Sequence, residues 1–242
     1  MELMRHSDTE FFLKSLSELG IELSELQLEQ FLIYYEMLTE KNKVMNLTAI
    51  TEYKEVISKH FVDSLTLARI YKLTNEKVID LGTGAGFPGI PLKIVYPDIE
   101  LILFDSLKKR LNFLDEVIEK LNLPKTSTLH GRAEDYGRDI KYREKYDLCV
   151  SRAVARLPVL LEFCTPFVKK GGYFISYKTG NIDEEINASQ NALNKLKTEI
   201  SSKDTFILPG TDMQRTLLLL KKLDNTPKQY PRSPVKIEKS PL

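Results

Sequence analysis

The sequence predicts an α/β protein, a mostly parallel seven-stranded sheet that ends antiparallel and is preceded by a small helical lobe. Three observations carry this. Residues 1–72 repeat apolar side chains at helical spacing. Residues 73–223 alternate short β-rich runs with helical ones. The last two β-rich runs flank a tight connection containing Pro209-Gly210-Thr211-Asp212.

In the lobe, Ser7-Asp8-Thr9-Glu10 and Ser24-Glu25-Leu26-Gln27 both fit the capping-box pattern, and Gly20 between them suits a helix stop. Leu28, Phe31, Leu32, Tyr35 and Leu38 then predict a second helix, and Ile57, Phe61, Leu65 and Ala68 a third. Five β-rich runs follow at residues 78–81, 101–104, 127–129, 146–150 and 173–177. The helical pattern between them is clearest in Leu107, Leu111, Leu114, Ile118 and Leu121. Strands alternating with helices imply a parallel sheet covered on both faces. Runs 205–208 and 215–220, so tightly joined, must pair antiparallel. This combination is the arrangement of the Rossmann-like methyltransferases. From Asp224 onward, three prolines in TPKQYPRSPV predict an extended tail. It is locally basic, with Lys228, Arg232, Lys236 and Lys239. The expected division is a helical lobe at 1–72, the sheet core at 73–223 and the tail at 224–242.

Composition sets outer limits. The 242 residues are 42% hydrophobic and 29% charged, with net charge +1, which suits one globular core and neither advertises nor excludes a nucleic-acid partner. Cys149 and Cys164 sit in apolar surroundings without CxxC spacing, so neither a disulfide framework nor a zinc site is expected. No apolar run is long enough to cross a bilayer, and MELMRHSDTE lacks a signal core, so a cytoplasmic protein is expected.

The chemistry concentrates in KVIDLGTGAGFPGI, residues 77–90. Gly82, Gly84 and Gly86 let the backbone turn sharply and approach a ligand. Gly84 to Gly89 also fits G-x-G-x-x-G, a weak pattern alone that admits a dinucleotide. Asp80, just before the first glycine, shifts the balance to S-adenosylmethionine. A carboxylate is unhelpful beside a pyrophosphate but suits an ammonium and a sulfonium. Alternatively, Asp80 caps the following turn. Asp105, ending the second strand, can accept from ribose hydroxyls. After the third strand, Ala133 is placed for the adenine face and Glu134 for its polar edge. Glu134 reads equally as a helix-start acid. Arg152, after the fourth strand, stands either where donor and acceptor meet or in a surface ion pair.

That fourth strand ends in Ser151-Arg152-Ala153. It lacks the Asn/Asp-Pro-Pro-Tyr element used for exocyclic amines, and Cys149 lies inside the strand rather than poised as a nucleophile. A ring nitrogen with a free lone pair, such as guanine N7, needs no general base, and no catalytic side chain is assigned.

The stretches LTAITEYKEVISKHFVDSL, VIDLGTGAGFPGIPLKI, FDSLKKRLNFL, GRAED, DLCVSRAVARL and QYPR together resemble the bacterial small-subunit rRNA guanine-N7 methyltransferases, the glucose-inhibited-division-B family. The resemblance runs from about residue 42 to residue 242. It implies methyl transfer from S-adenosylmethionine to N7 of one guanine in a decoding-centre loop of 16S rRNA. The partner would be the small ribosomal subunit or its assembly intermediate, and a monomer is expected. By position, it implies cofactor contacts at Gly82, Phe87, Asp105, Ser106, Leu107, Ala133, Glu134 and Arg152. Phe87, Ser106 and Leu107 come from the resemblance alone. His60, Asp63 and Ser64 share one helix face. They form either a surface hydrogen-bonded cluster or, as the resemblance implies, part of the cofactor crevice. Lys178, Arg215 and Arg232, with His60, are candidate substrate contacts. Val235 and Ile237 depart from the family tail, which has a glycine and a proline there. The alternatives are a small-molecule methyltransferase and a cofactor-binding regulatory module without transfer activity.

Overall fold

The computed structural model describes residues 6–242. Helix α1 (His6–Ser17) ends at Gly20, whose φ of +70° lets Ile21 N–H reach the Leu16 carbonyl and Gly20 N–H the Ser17 carbonyl. The capping side chain expected at Ser7 lies outside the described residues. Helix α2 (Glu25–Met45) has the expected box: the Ser24 N–H donates to Gln27 Oε1, and the Gln27 N–H donates to Ser24 Oγ. Its buried stripe is Phe31, Tyr34 and Leu38.

The third helical segment is not a plain α-helix. It runs as α3 (Tyr53–Val56), a π-helical turn (Ile57–Val62), α4 (Asp63–Leu65) and a 3₁₀ turn (Thr66–Arg69). Residues 61–67 are all buried, so this segment is enclosed on every side instead of showing one apolar face. The polar side chains Asp63, Ser64 and Thr66 are therefore interior and take internal partners.

The sheet follows: β1 (Lys77–Leu81), β2 (Glu100–Asp105), β3 (Thr126–His130), β4 (Tyr146–Arg152), β5 (Val168–Thr179), β6 (Thr198–Ile207) and β7 (Gln214–Lys222). Its order is β3-β2-β1-β4-β5-β7-β6. The first five strands are parallel, and β7 inserts antiparallel between β5 and β6. This is the Rossmann-like methyltransferase fold. Helices α5 (Gly89–Val95), α6 (Lys108–Lys120), α7 (Ala133–Tyr136), α8 (Leu157–Cys164), α9 (Asp183–Ala188) and α10 (Gln190–Lys195) complete the core region. One apolar cluster joins the lobe to a sheet face through Phe31, Phe61, Leu103 and Leu114. The other gathers Phe104, Leu160, Phe167 and Phe174 behind the opposite face.

The tail differs from the expected extended segment. Pro234–Lys239 forms α11, with Pro234 in the first turn and Ile237 wholly buried. Val235 and Ile237, in place of a glycine and a proline, remove the two helix breakers that would stop this turn.

Candidate functional site

The strand order reverses between β1 and β4, and ligands in such sheets bind beyond the carboxyl ends of the strands at that point. The glycine loop leaves β1 there. Gly82 and Thr83 N–H groups both donate to the Phe104 carbonyl, at 2.8 and 3.0 Å. Gly82 has φ +75°, and a Cβ on it would stand 2.4 Å from Val154. Gly84 has φ +61°, and a Cβ there would meet only the Gly82 carbonyl oxygen, at 4.0 Å. Gly86 fits by close approach, since a Cβ would meet the Tyr34 hydroxyl at 2.6 Å. That hydroxyl donates to the Ala85 carbonyl at 2.6 Å, so α2 grips the loop from behind.

Asp80 faces inward. It is fully buried, and Oδ2 accepts from Thr83 Oγ1 at 2.6 Å and Gly89 N–H at 2.8 Å, while Oδ1 has no partner. Burial raises its carboxyl to about 7. The turn-capping alternative is therefore the one realised: Asp80 ties the two ends of the glycine loop together. Asp105, at the carboxyl end of β2, reaches the glycine loop from the neighbouring strand. Its Oδ2 accepts from Gly84 N–H and its Oδ1 from Leu107 N–H, both at 2.9 Å. Oδ2 also takes a longer contact from Arg110 Nη1, at 3.4 Å, so the spare lone pair is on Oδ1. Ser106 and Leu107 are exposed beside it, and Ala133 and Glu134 open α7 nearby in the fold, both buried. Glu134 also lies in the first turn, as its helix-start reading expected.

Arg152 is not a surface ion pair. Its Nη1 donates to Asp63 Oδ2 at 2.7 Å and to the Lys59 carbonyl at 3.1 Å, and Nη2 meets His60 Nδ1 at 3.2 Å. The guanidinium also lies over the Phe87 ring, 5.1 Å from its centre. Phe87 stacks on His60 at 4.4 Å, so its ring belongs to the lobe contact. The His60–Asp63–Ser64 face is thus no surface cluster. His60 Nδ1 accepts from the arginine, which leaves Nε2–H for Thr48 Oγ1 at 2.9 Å. Burial, then the Arg152 charge, hold His60 down at about 3.

Asp63 uses its second oxygen on Arg215 Nε, at 2.9 Å. A pocket of about 200 Å³ opens here, lined among others by Asp63, Arg152, Tyr177, Lys178, Glu185 and Arg215. Lys178 Nζ donates to Glu185 Oε2 at 2.7 Å and the Ala155 carbonyl at 2.9 Å. The topology therefore gathers Arg152, Lys178 and Arg215 from three strands into one place. Arg232 is elsewhere, in a two-pronged pair with the fully buried Glu162 of α8. Cys149 is buried, and burial pushes its thiol well up, which leaves it inert.

The family described as rRNA small subunit methyltransferase G (GidB) matches residues 27–213. The chain belongs to that family. It is 55% identical over 236 residues to the ribosomal RNA small subunit methyltransferase G of Lachnoclostridium phytofermentans, covering 97% of this chain and 98% of the relative. The enzyme of the same name from Thermoanaerobacter sp. strain X514 is 51% identical over 240 residues, covering 99% and 100%. Solved structures share the fold at low identity. P. horikoshii TYW2 in complex with MeSAdo superposes with TM-score 0.53 at 17% identity, over 66% of this chain and 61% of that one. TrmN from Thermus thermophilus gives 0.51 at 14%, over 69% and 53%.

In this member of the methyltransferase G family, three working residues escaped the sequence reading. Tyr34 sits one position off the apolar repeat taken from α2, yet it is the residue that reaches the loop. Glu185 and Glu162 neutralise two of the candidate substrate cations. Acids more than a few residues from their partners leave no local signal.

Proposed function

We propose that this chain transfers a methyl group from S-adenosylmethionine to N7 of a guanine in 16S rRNA. The methyltransferase class, the cofactor and the rRNA of the small subunit follow from family membership. The acceptor atom, the residue roles and a cytoplasmic, monomeric enzyme are the proposal. The uncrowded side of Gly84, the spare lone pair of Asp105 Oδ1, exposed Ser106 and Leu107, and the small Ala133 fit an adenosyl group. Gly82, Glu134 and Arg152 complete the set, with Phe87 acting through its backbone position and its stack on His60.

When bound, the cofactor supplies a methyl carbon on a positively charged sulfur, open to attack by a lone pair. The observation that carries the N7 reading is the state of the groups around the β4 end. Both His60 nitrogens are engaged, Asp80 points inward, Cys149 is buried, and the Tyr177 hydroxyl donates to the Ser64 carbonyl at 2.7 Å. A reaction that removes no proton suits such a site. Alignment of the reactants by Arg152, Lys178 and Arg215 then does the work, and orientation can lower a barrier by about 7–11 kcal/mol.

The test uses radiolabelled S-adenosylmethionine with small subunits from a strain lacking the family enzyme, naked 16S rRNA and free guanosine in parallel. Label is expected in ribosomal material only. Label on guanosine alone would overturn the proposal in favour of a small-molecule enzyme, and cofactor binding without transfer would leave a regulatory module.

A further inference from the structure

The C-terminal tail passes directly behind α7, the single turn that begins with Ala133 and Glu134. One side chain joins them. Arg143 Nη1 donates to the carbonyl of Gly137, the residue ending α7, at 2.7 Å, and to the Tyr230 carbonyl at 2.8 Å. Its Nη2 donates to the Thr226 carbonyl at 2.5 Å. One guanidinium thus clips the end of α7 to the segment 226–230. Arg138 adds a bond from Nη2 to the Gln229 carbonyl at 3.2 Å. Contact is close as well: a Cβ on Gly137 would stand 3.2 Å from Pro231 and 3.0 Å from the Ala133 carbonyl. Tyr230 is buried in the same apolar cluster as Ala133.

Both ends of this segment are tied down. At the start, the buried Lys222 ammonium donates to Thr226 Oγ1 and, at 2.8 Å, to the Thr165 carbonyl. At the far end, Arg232 makes its two-pronged pair with Glu162, which water does not reach. Such a pair is strong and directional. A one-turn helix has almost no stability of its own, so α7 takes its position from what it packs on.

We infer that residues 226–232 are a strap that positions the adenine end of the cofactor site, with Arg143 the positioning residue through which the strap holds α7. The inference rests on the reading of Ala133 and Glu134 as cofactor contacts. It gives the basic tail a task in cofactor affinity, distinct from gripping RNA.

The experiment measures steady-state kinetics with both substrates varied, alongside the melting temperature, for Arg143→Ala, Arg143→Lys, Gly137→Ala and Ala133→Trp. Gly137 has φ in the ordinary helical region, so its alanine variant adds no backbone strain and crowds the seam where the end of α7 meets Pro231 of the strap, Pro166 and the Ala133 carbonyl. Arg143→Ala and Gly137→Ala are expected to raise the KM for S-adenosylmethionine about tenfold, the effect of roughly one hydrogen bond of positioning energy. The kcat at saturating cofactor and the KM for small subunits should stay within about twofold of the parent. Arg143→Lys should fall between, because an ammonium cannot span carbonyls on both segments. A raised KM for small subunits with the cofactor KM unchanged would overturn the inference and make the tail an RNA arm. An unchanged cofactor KM in both Arg143→Ala and Gly137→Ala, while Ala133→Trp raises it, would overturn the strap alone. An unchanged cofactor KM in Ala133→Trp would instead overturn the adenine assignment beneath it.

Discussion

Replacing Asp80 by asparagine isolates the role of the acid that precedes the glycine loop. The amide keeps an oxygen to accept from Thr83 and Gly89 and places its NH₂ where Oδ1 now lacks a partner. Burial raises the carboxyl from 3.8 to about 7, mainly because the charged form loses its water. The folded chain therefore holds this proton more tightly than the unfolded chain between those two values. Its stabilising contribution is complete below pH 3.8 and is lost as pH rises through about 7. The shift of about 3 units corresponds to roughly 4 kcal/mol across the full window, and the portion between pH 5 and 8 to about 3 kcal/mol. Urea unfolding of parent and Asp80→Asn, followed by circular dichroism over that range, should show the variant gaining by this amount as pH rises. Affinity for S-adenosylmethionine, measured calorimetrically, should change only a few-fold. Parallel stability curves, or loss of affinity by two orders of magnitude or more, would refute an inward, loop-tying Asp80 and restore a carboxylate facing the cofactor.

Other outcomes follow from the same geometry. Gly82→Val places a β-branched side chain at φ +75° and against Val154, and should abolish cofactor binding by calorimetry while far-ultraviolet circular dichroism is retained. Asp63→Ala leaves Arg152 and Arg215 facing each other without their shared carboxylate, and should cost about 3 kcal/mol in urea unfolding and lower kcat. Arg232→Ala strands the buried Glu162 and should cost about 3–5 kcal/mol, while the salt dependence of small-subunit binding keeps its slope. The His60 ring should show no protonation above about pH 5 in an NMR titration, because burial and the Arg152 charge hold it near 3.

Much of this fold was legible because parallel sheets write themselves into the chain. Central strands buried on both faces read as apolar runs, and the tight connection near Gly210 forced the antiparallel ending. The placement of Gly82, Asp105, Ala133 and Glu134 was legible for a related reason: they follow strand ends, where the topology alone fixes their neighbourhood. What escaped was the set of pairs made between distant elements. Asp63 and Arg215 are 152 positions apart, and Arg232 and Glu162 are 70 apart. The direction of a side chain was hidden too. Asp80 turns inward because Thr83 and Gly89 offer it donors, which no spacing rule encodes. The π-helical turn at Ile57–Val62 was invisible because a 3.6-residue pattern fits its buried residues almost as well.

The central claim is a base-free transfer to N7, and the atom that receives the methyl group tests it most directly. Small subunits methylated by the purified enzyme would be treated with borohydride and aniline, which cut RNA at N7-methylguanine, and the labelled fragment identified by mass spectrometry. One new cut in 16S rRNA, coincident with the label, is the expected result. Label on an exocyclic amine, on a carbon or on a ribose hydroxyl, with no cut, would contradict it, because those acceptors must shed a proton that no free group around Arg152 is placed to take.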